Sequence, residues 1–136
     1  MLDRIVSRKV FAIVERGLDA ASLRQRVLSD NLANVDTPGY KRSDVRFQQE
    51  LRRVMEARRL PLRLTHATHL SGKTVDLPAP QVVKDDTISY RNDGNNVDID
   101  VEMARLAENS IYYDALARQM SYLLGSLRSA ILEGRR

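Results

Sequence analysis

The chain has 136 residues and a formal net charge of +4, with 43% hydrophobic residues, only 5% aromatic residues, and no Trp or Cys. That length is one domain or less, and the absence of Cys excludes a disulfide framework, a thiolate metal site and a cysteine nucleophile. The profile suits a mainly α fold packed through Leu, Ala and Met, with little room for a large mixed core.

The N-terminal unit, residues 1–35, is expected to be a helix. Its apolar run at residues 10–14 is shorter than the core of a secretory signal and far too short to span a bilayer. The chain is therefore expected to have no cleaved signal peptide and not to be an integral membrane protein. A seam runs through Phe11, Val14, Leu18, Ala21, Gln25, Leu28, Leu32 and Val35, with spacings that alternate between 3 and 4. More than three heptads of this pattern predict coiled-coil-like packing.

The helix meets a firm stop near Asn34. Pro38 lacks a backbone N–H and disfavours helix at Thr37. Pro38-Gly39 suits the central positions of a type II turn, and Asn34 and Asp36 are helix-end and turn residues. By itself such a stretch is commonly a plain surface loop.

Residues 36–97 hold all four prolines and read as an irregular middle segment. A short helix is expected over about 44–59, carried by Val45, Phe47, Leu51, Val54 and Met55. Short extended pieces are expected at 62–65, 74–77, 81–83 and 87–90. Residues 41–63 contain eight basic side chains (Lys41, Arg42, Arg46, Arg52, Arg53, Arg58, Arg59, Arg63) against three acidic ones. This concentration of charge fits a solvated or partner-facing helix. A nucleic-acid-binding segment is the alternative from a different class, although aromatics are sparse and no nucleic-acid motif is present.

Residues 98–136 are expected to form the second long helix. Asp98 and Asp100 supply cap chemistry, Glu102 adds charge in the first turn, and Gly134 suits the end. Its seam is Ile99, Met103, Leu106, Ser110, Tyr113, Ala117, Met120, Leu124, Leu127 and Ile131. Each seam has a shoulder: Ala20 and Val27 on the first helix, and Leu116, Leu123 and Ala130 on the second. Two readings stay open. The wide faces pack against copies of the chain or related subunits, or the extra stripe covers the middle segment of the same chain.

Site chemistry is thin. His66-x-x-His69 lacks an acidic or Cys ligand at metal-site spacing. Residues 93–100 resemble a calcium loop, but alignment on Gly94 puts Ser89 and Arg91 at ligand positions, so the match fails. No hydroxyl has a base at a recognisable spacing, and there is no Gly-rich phosphate loop. No catalytic residue, cofactor or metal is expected, and the chain is not read as an enzyme.

Two motifs carry a resemblance. Asn31-Leu32-Ala33-Asn34-Val35-Asp36-Thr37-Pro38-Gly39-Tyr40-Lys41 resembles the N-terminal motif shared by rod and hook axial proteins of the bacterial flagellum. Asp93-Gly94-Asn95-Asn96-Val97-Asp98, followed by Glu102-Met103, is similar to the corresponding run in the proximal-rod members of that family. The resemblance spans nearly the whole chain. It implies a structural subunit of the proximal rod in the periplasmic part of the basal body, polymerising through its terminal helices into a torque-transmitting shaft and export channel. Another rod protein of the same family is the alternative within that class. The helix-packing interface would use Phe11, Val14, Leu18, Leu28, Leu32, Leu106, Tyr113, Met120, Leu124, Leu127 and Ile131. Implied partners are copies of itself, other rod proteins, and membrane-ring and export-gate or rod-adaptor proteins at the rod base, with no nucleic acid. Implied export runs through the flagellar type III apparatus, with Phe47 and Leu51 as a candidate export-gate motif and Leu2, Ile5 and Val6 as an N-terminal export element. An ordinary i, i+4 core pair explains Phe47 and Leu51 equally well.

Overall fold

The computed structural model describes residues 8–57, 77–86 and 91–133. In chain order its elements are α1 (Arg8–Ala33), β1 (Ser43–Arg46), α2 (Gln48–Ala57), β2 (Gln81–Lys84) and α3 (Ile99–Glu133). The chain is mainly helical, as the two seams predict. The pair His66 and His69, the arginines 58, 59 and 63, Gly134 and the extended pieces at 62–65 and 87–90 lie outside the described residues.

α1 and α3 pack together along their lengths. Three contacts give their direction. Gly17 lies against Leu116, Asn109 bonds the Ala21 carbonyl, and Asn31 bonds Glu102. As numbers rise on α1 they fall on α3, so the pair is antiparallel. Gly17 is where the helices come closest: a Cβ built there would stand 3.0 Å from Leu116 Cδ1.

A second face of α1 is also covered. Ala20 and Val27 form one buried cluster with Val45 and Phe47, and Leu23 and Leu51 pack against it. The shoulder of the first helix therefore covers this chain's own middle segment. Along β1 the side chains alternate, with Val45 and Phe47 each 2% exposed and Arg46 facing out, the period-2 pattern of a half-buried strand.

The middle differs from expectation at one point. The helix expected from about residue 44 begins at Gln48, because residues 43–46 are extended and pair antiparallel with β2, Ser43 opposite Lys84 and Arg46 opposite Gln81. Three groups hold β1 extended along its inner edge. The Asn31 side-chain amide receives Ser43 N–H at 2.9 Å and donates to Ser43 O at 2.8 Å, as a neighbouring strand would. Arg24 donates to Val45 O at 2.7 Å. These bonds outweigh the weak helix preference of Ser, Asp and Val.

α1 ends where the sequence predicts. The Asn34 N–H reaches Asp30 O, Thr37 N–H reaches Asn34 O, and Tyr40 N–H closes a turn on Thr37 O across Pro38-Gly39. Gly39 sits at φ +72°, the conformation a type II turn demands and a side chain resists. α3 starts on Asp98, whose Oδ1 accepts from the N–H groups of Asp100 and Val101 at 3.0 and 3.3 Å. It is a side-chain N-cap.

Candidate functional site: a polar clasp between the two motifs

The two sequence motifs lie about sixty residues apart and meet in space. At the end of α1, carbonyls run out of intrahelical partners. Asn95 supplies them. It is fully buried, and its Nδ2 donates to Asn34 O, Val35 O and Thr37 O at 3.0, 2.9 and 2.9 Å, while its Oδ1 accepts Val97 N–H at 2.8 Å. A residue from the second motif thus caps the helix of the first. Arg91 adds a bond from its NH1 to Val35 O at 3.1 Å. The Gly39 N–H donates to Asp93 O at 2.8 Å, and the Gly94 backbone, at φ +75°, passes Gly39 closely enough that a Cβ on it would lie 3.8 Å from Gly39 Cα.

Beneath this cap lies a charged centre. Glu102 is 2% exposed. Its Oε1 accepts from Arg42 Nε at 3.2 Å and Arg105 NH1 at 2.8 Å, and its Oε2 from Asn31 Nδ2 at 2.9 Å. Asn31, also fully buried, uses all its capacity: two donors to Ser43 O and Glu102, and two acceptor positions for Ser43 N–H and Tyr40 OH, the last at 3.3 Å. Arg42 spans the centre. It pairs with Glu102 and with Asp85 at 3.0 Å, and its NH2 stands 3.7 Å from Asp44, a coulombic contact too long to satisfy that nitrogen as a hydrogen bond. Asn96 closes the circuit by accepting Arg42 N–H at 2.7 Å and donating to Asp85 O at 2.8 Å.

Two groups report this environment. Burial, then the negative charges of Asp30 and Glu102, raise the Tyr40 hydroxyl pKa. The Asn95 N–H, then the Arg91 guanidinium, hold the exposed Asp93 carboxyl below its ordinary value. A carboxylate with a depressed folded pKa stabilises the fold above its unfolded pKa, and that help is lost as pH falls through the folded value. The melting temperature of Asp93→Asn is therefore expected to fall below that of the parent at neutral pH, with the gap closing in strong acid. A gap unchanged between the two conditions would contradict the assignment.

The motif residues divide by role. Asn31, Asn34, Gly39, Tyr40, Asp93, Gly94, Asn95, Asn96, Asp98 and Glu102 build the clasp or its turns. Val97 is buried, Leu32 half-buried, and Ala33, Thr37, Pro38 and Met103 are exposed. Sequence reasoning missed Arg42 as the hub, counting it in the basic segment, and it missed Asp85, Arg105 and Asn109. The one available signal was Arg42 immediately after a motif that ends in Lys41.

The residues named for helix packing separate as well. Val14 and Leu28 are buried, and Phe11, Leu18, Leu32, Leu106, Met120 and Leu127 are half-buried. Tyr113, Leu124 and Ile131 are 42%, 52% and 65% exposed, so within this chain they do not join the α1–α3 contact. The inward face of α3 follows Glu102, Asn109, Leu116 and Leu123, a seven-residue repeat beside the apolar seam. Of the shoulder expected on α3, Leu123 is buried, Leu116 half-buried and Ala130 exposed. Phe47 and Leu51 sit together in the buried cluster with α1.

Among the described residues no helix is long and apolar enough to cross a membrane, and no three His, Cys, Asp or Glu side chains cluster as a metal site. The side chains of the clasp are spent on one another and on backbone. Two antiparallel terminal helices, fastened by a buried polar clasp, define a helical structural subunit.

Comparison with known proteins gives the same class and narrows it. A sequence model of the family described as flagella basal body rod protein matches residues 13–41. The chain is 38% identical over 122 residues to flagellar basal body rod protein FlgB of Bacillus subtilis, covering 90% of this chain and 92% of that one. It is 39% identical to FlgB of Borreliella burgdorferi over 119 residues (82% and 87%), and 32% identical to FlgB of Escherichia coli over 138 (95% and 99%). The chain belongs to the FlgB family of flagellar basal body rod proteins. That membership gives it a structural role in the basal-body rod, not an enzymatic one, and lends no support to the nucleic-acid alternative.

Proposed function

We propose that the chain builds the proximal end of the rod by packing α1 and α3 against copies of itself and against other rod proteins. The observation that carries this reading is the stripe on α3 left outside the intramolecular contact. Ile99, Met103, Tyr113, Leu124 and Ile131 are 47%, 51%, 42%, 52% and 65% exposed and keep heptad spacing over the length of the helix. A helix with apolar side chains on its outer as well as its inner side wants more than one neighbour. Interlocked along such stripes, many small packing contacts stiffen a tube, and a stiff tube transmits torque and encloses a channel.

Placement at the rod base, contacts with membrane-ring and export-gate or rod-adaptor proteins, and passage through the type III apparatus without a cleaved signal rest on the family resemblance. The candidate gate pair, Phe47 and Leu51, is packed away in the folded chain, so recognition of it belongs to the unfolded chain in transit. Mass spectrometry of hook–basal bodies washed at high salt tests the reading. The chain is expected there in a few copies, with rods missing from the deletion strain. Its absence from them, with the protein retained in the cytoplasm, would overturn the proposal.

A further inference from the structure

Between α1, β1 and α3 runs an open groove of about 550 Å³. Leu28, Tyr112 and Ala115 give it apolar walls, Ile111 forms a rim that is 72% exposed, and Asp44 and Glu108 bring two carboxylates. Asn109 also lines it and is 4% exposed. Its Nδ2 donates to Ala21 O at 3.0 Å and Gln25 Oε1 at 2.9 Å, but its Oδ1 is buried with no hydrogen-bond partner among the described residues. An unsatisfied buried amide oxygen is costly and uncommon. Neither the clasp nor the α1–α3 contact accounts for it. The groove offers apolar walls, an idle acceptor and negative charge.

The complementary set stands further along the same helix. Tyr122 is 69% exposed. Its side chain combines a flat apolar ring with a hydroxyl donor, and Arg118, one turn before it, is an exposed cation. Tyr122 lies about eleven residues beyond Ile111, roughly 16 Å along the helix, so it does not reach the groove of its own chain.

We propose that Tyr122 of one copy seats its ring in this groove of a second copy, donates its hydroxyl to Asn109 Oδ1, and brings Arg118 against Asp44 and Glu108. The inference rests on the rod reading and deepens it by naming one contact through which copies join. Knob and socket are different surfaces, so the interface is heterologous. Between parallel copies it is offset along the axis by roughly 16 Å, and an offset head-to-tail contact propagates as a filament instead of closing.

The test places p-benzoylphenylalanine at position 122 in cells, irradiates purified hook–basal bodies and maps the adducts. Adducts on residues 105–115 of a second copy, running at twice the chain's mass, are expected. Chain present in the basal bodies with adducts elsewhere, on other rod proteins only, or none, would overturn the inference. Failure of the rod reading looks different, because the unsubstituted chain would itself be missing from basal bodies. A second variant covers poor assembly of the bulky one. Tyr122→Phe keeps the ring and loses the donor, and it is expected to lower the recovery of the chain in basal bodies several-fold while Tyr113→Phe leaves recovery unchanged. Equal recovery of the two counts against the contact.

Discussion

Glu102→Ala is expected to destabilise the purified chain by about 3–5 kcal/mol, the range seen when one partner of a buried ion pair is removed. The Glu102 side chain is 1% exposed and the Arg42 side chain 13%. Without the carboxylate, Arg42 keeps Asp85 but loses its innermost counter-charge, and Asn31 Nδ2 loses one of its two acceptors. Two donors are then stranded where water is scarce, and that desolvation cost is the larger part of the loss. Arg105→Ala removes the other cation on Glu102, but that side chain is 38% exposed, so solvent screening limits the cost to about 1 kcal/mol or less. Urea denaturation followed by helical circular dichroism separates the two variants. Equal losses would mean that the buried centre does not hold the fold.

The contrast explains why the two motifs belong together. A long helix ends with four carbonyls unsatisfied, and a long helix begins with four N–H groups in the same condition. α1 and α3 solve both problems locally in part, through the Pro38-Gly39 turn and the Asp98 cap. The remainder is solved across the chain, by Asn95 at the end of α1 and by the Asn31–Glu102 bond between the helices. The clasp fixes the axial register of the pair, and with it the relative position of every apolar side chain they present outward.

Much of this could be read from local rules. The stop at Asn34 follows from Pro38 and Gly39, the start of α3 from Asp98, and the inner face of α1 from its heptads. The alternation of Val45, Arg46 and Phe47 was also present, but a helical spacing of Phe47 and Leu51 competed with it. Nothing local shows that Asn31 and Arg24 would clamp β1 as an extended strand, because those partners are 12 and 21 residues away. The inward face of α3 was hidden for another reason. Two of its members are Glu102 and Asn109, which a hydropathy pattern assigns to solvent. Each is buried because it finds its partners on α1 or β1, and such pairing is a property of the fold. The apolar pattern therefore selected the neighbouring stripe, which is the outer one.

That distinction gives the last expected result. Leu28→Asp and Leu124→Asp are both expected to abolish motility, by separate routes. Leu28 is 1% exposed, and a carboxylate there has no cation built to meet it, so a loss on the order of 4–5 kcal/mol is expected. Against a native stability of about 5–15 kcal/mol, that leaves little folded chain to assemble. Leu124 is 52% exposed, and Asp there costs under about 1 kcal/mol through helix preference. The Leu124→Asp protein should melt close to the parent yet be missing from basal bodies, because its charge would have to be buried against the next subunit. A swimming Leu124→Asp strain would show that the outer stripe of α3 is not an assembly surface. A Leu28→Asp protein that melts like the parent would move the core of the helix pair away from α1 position 28.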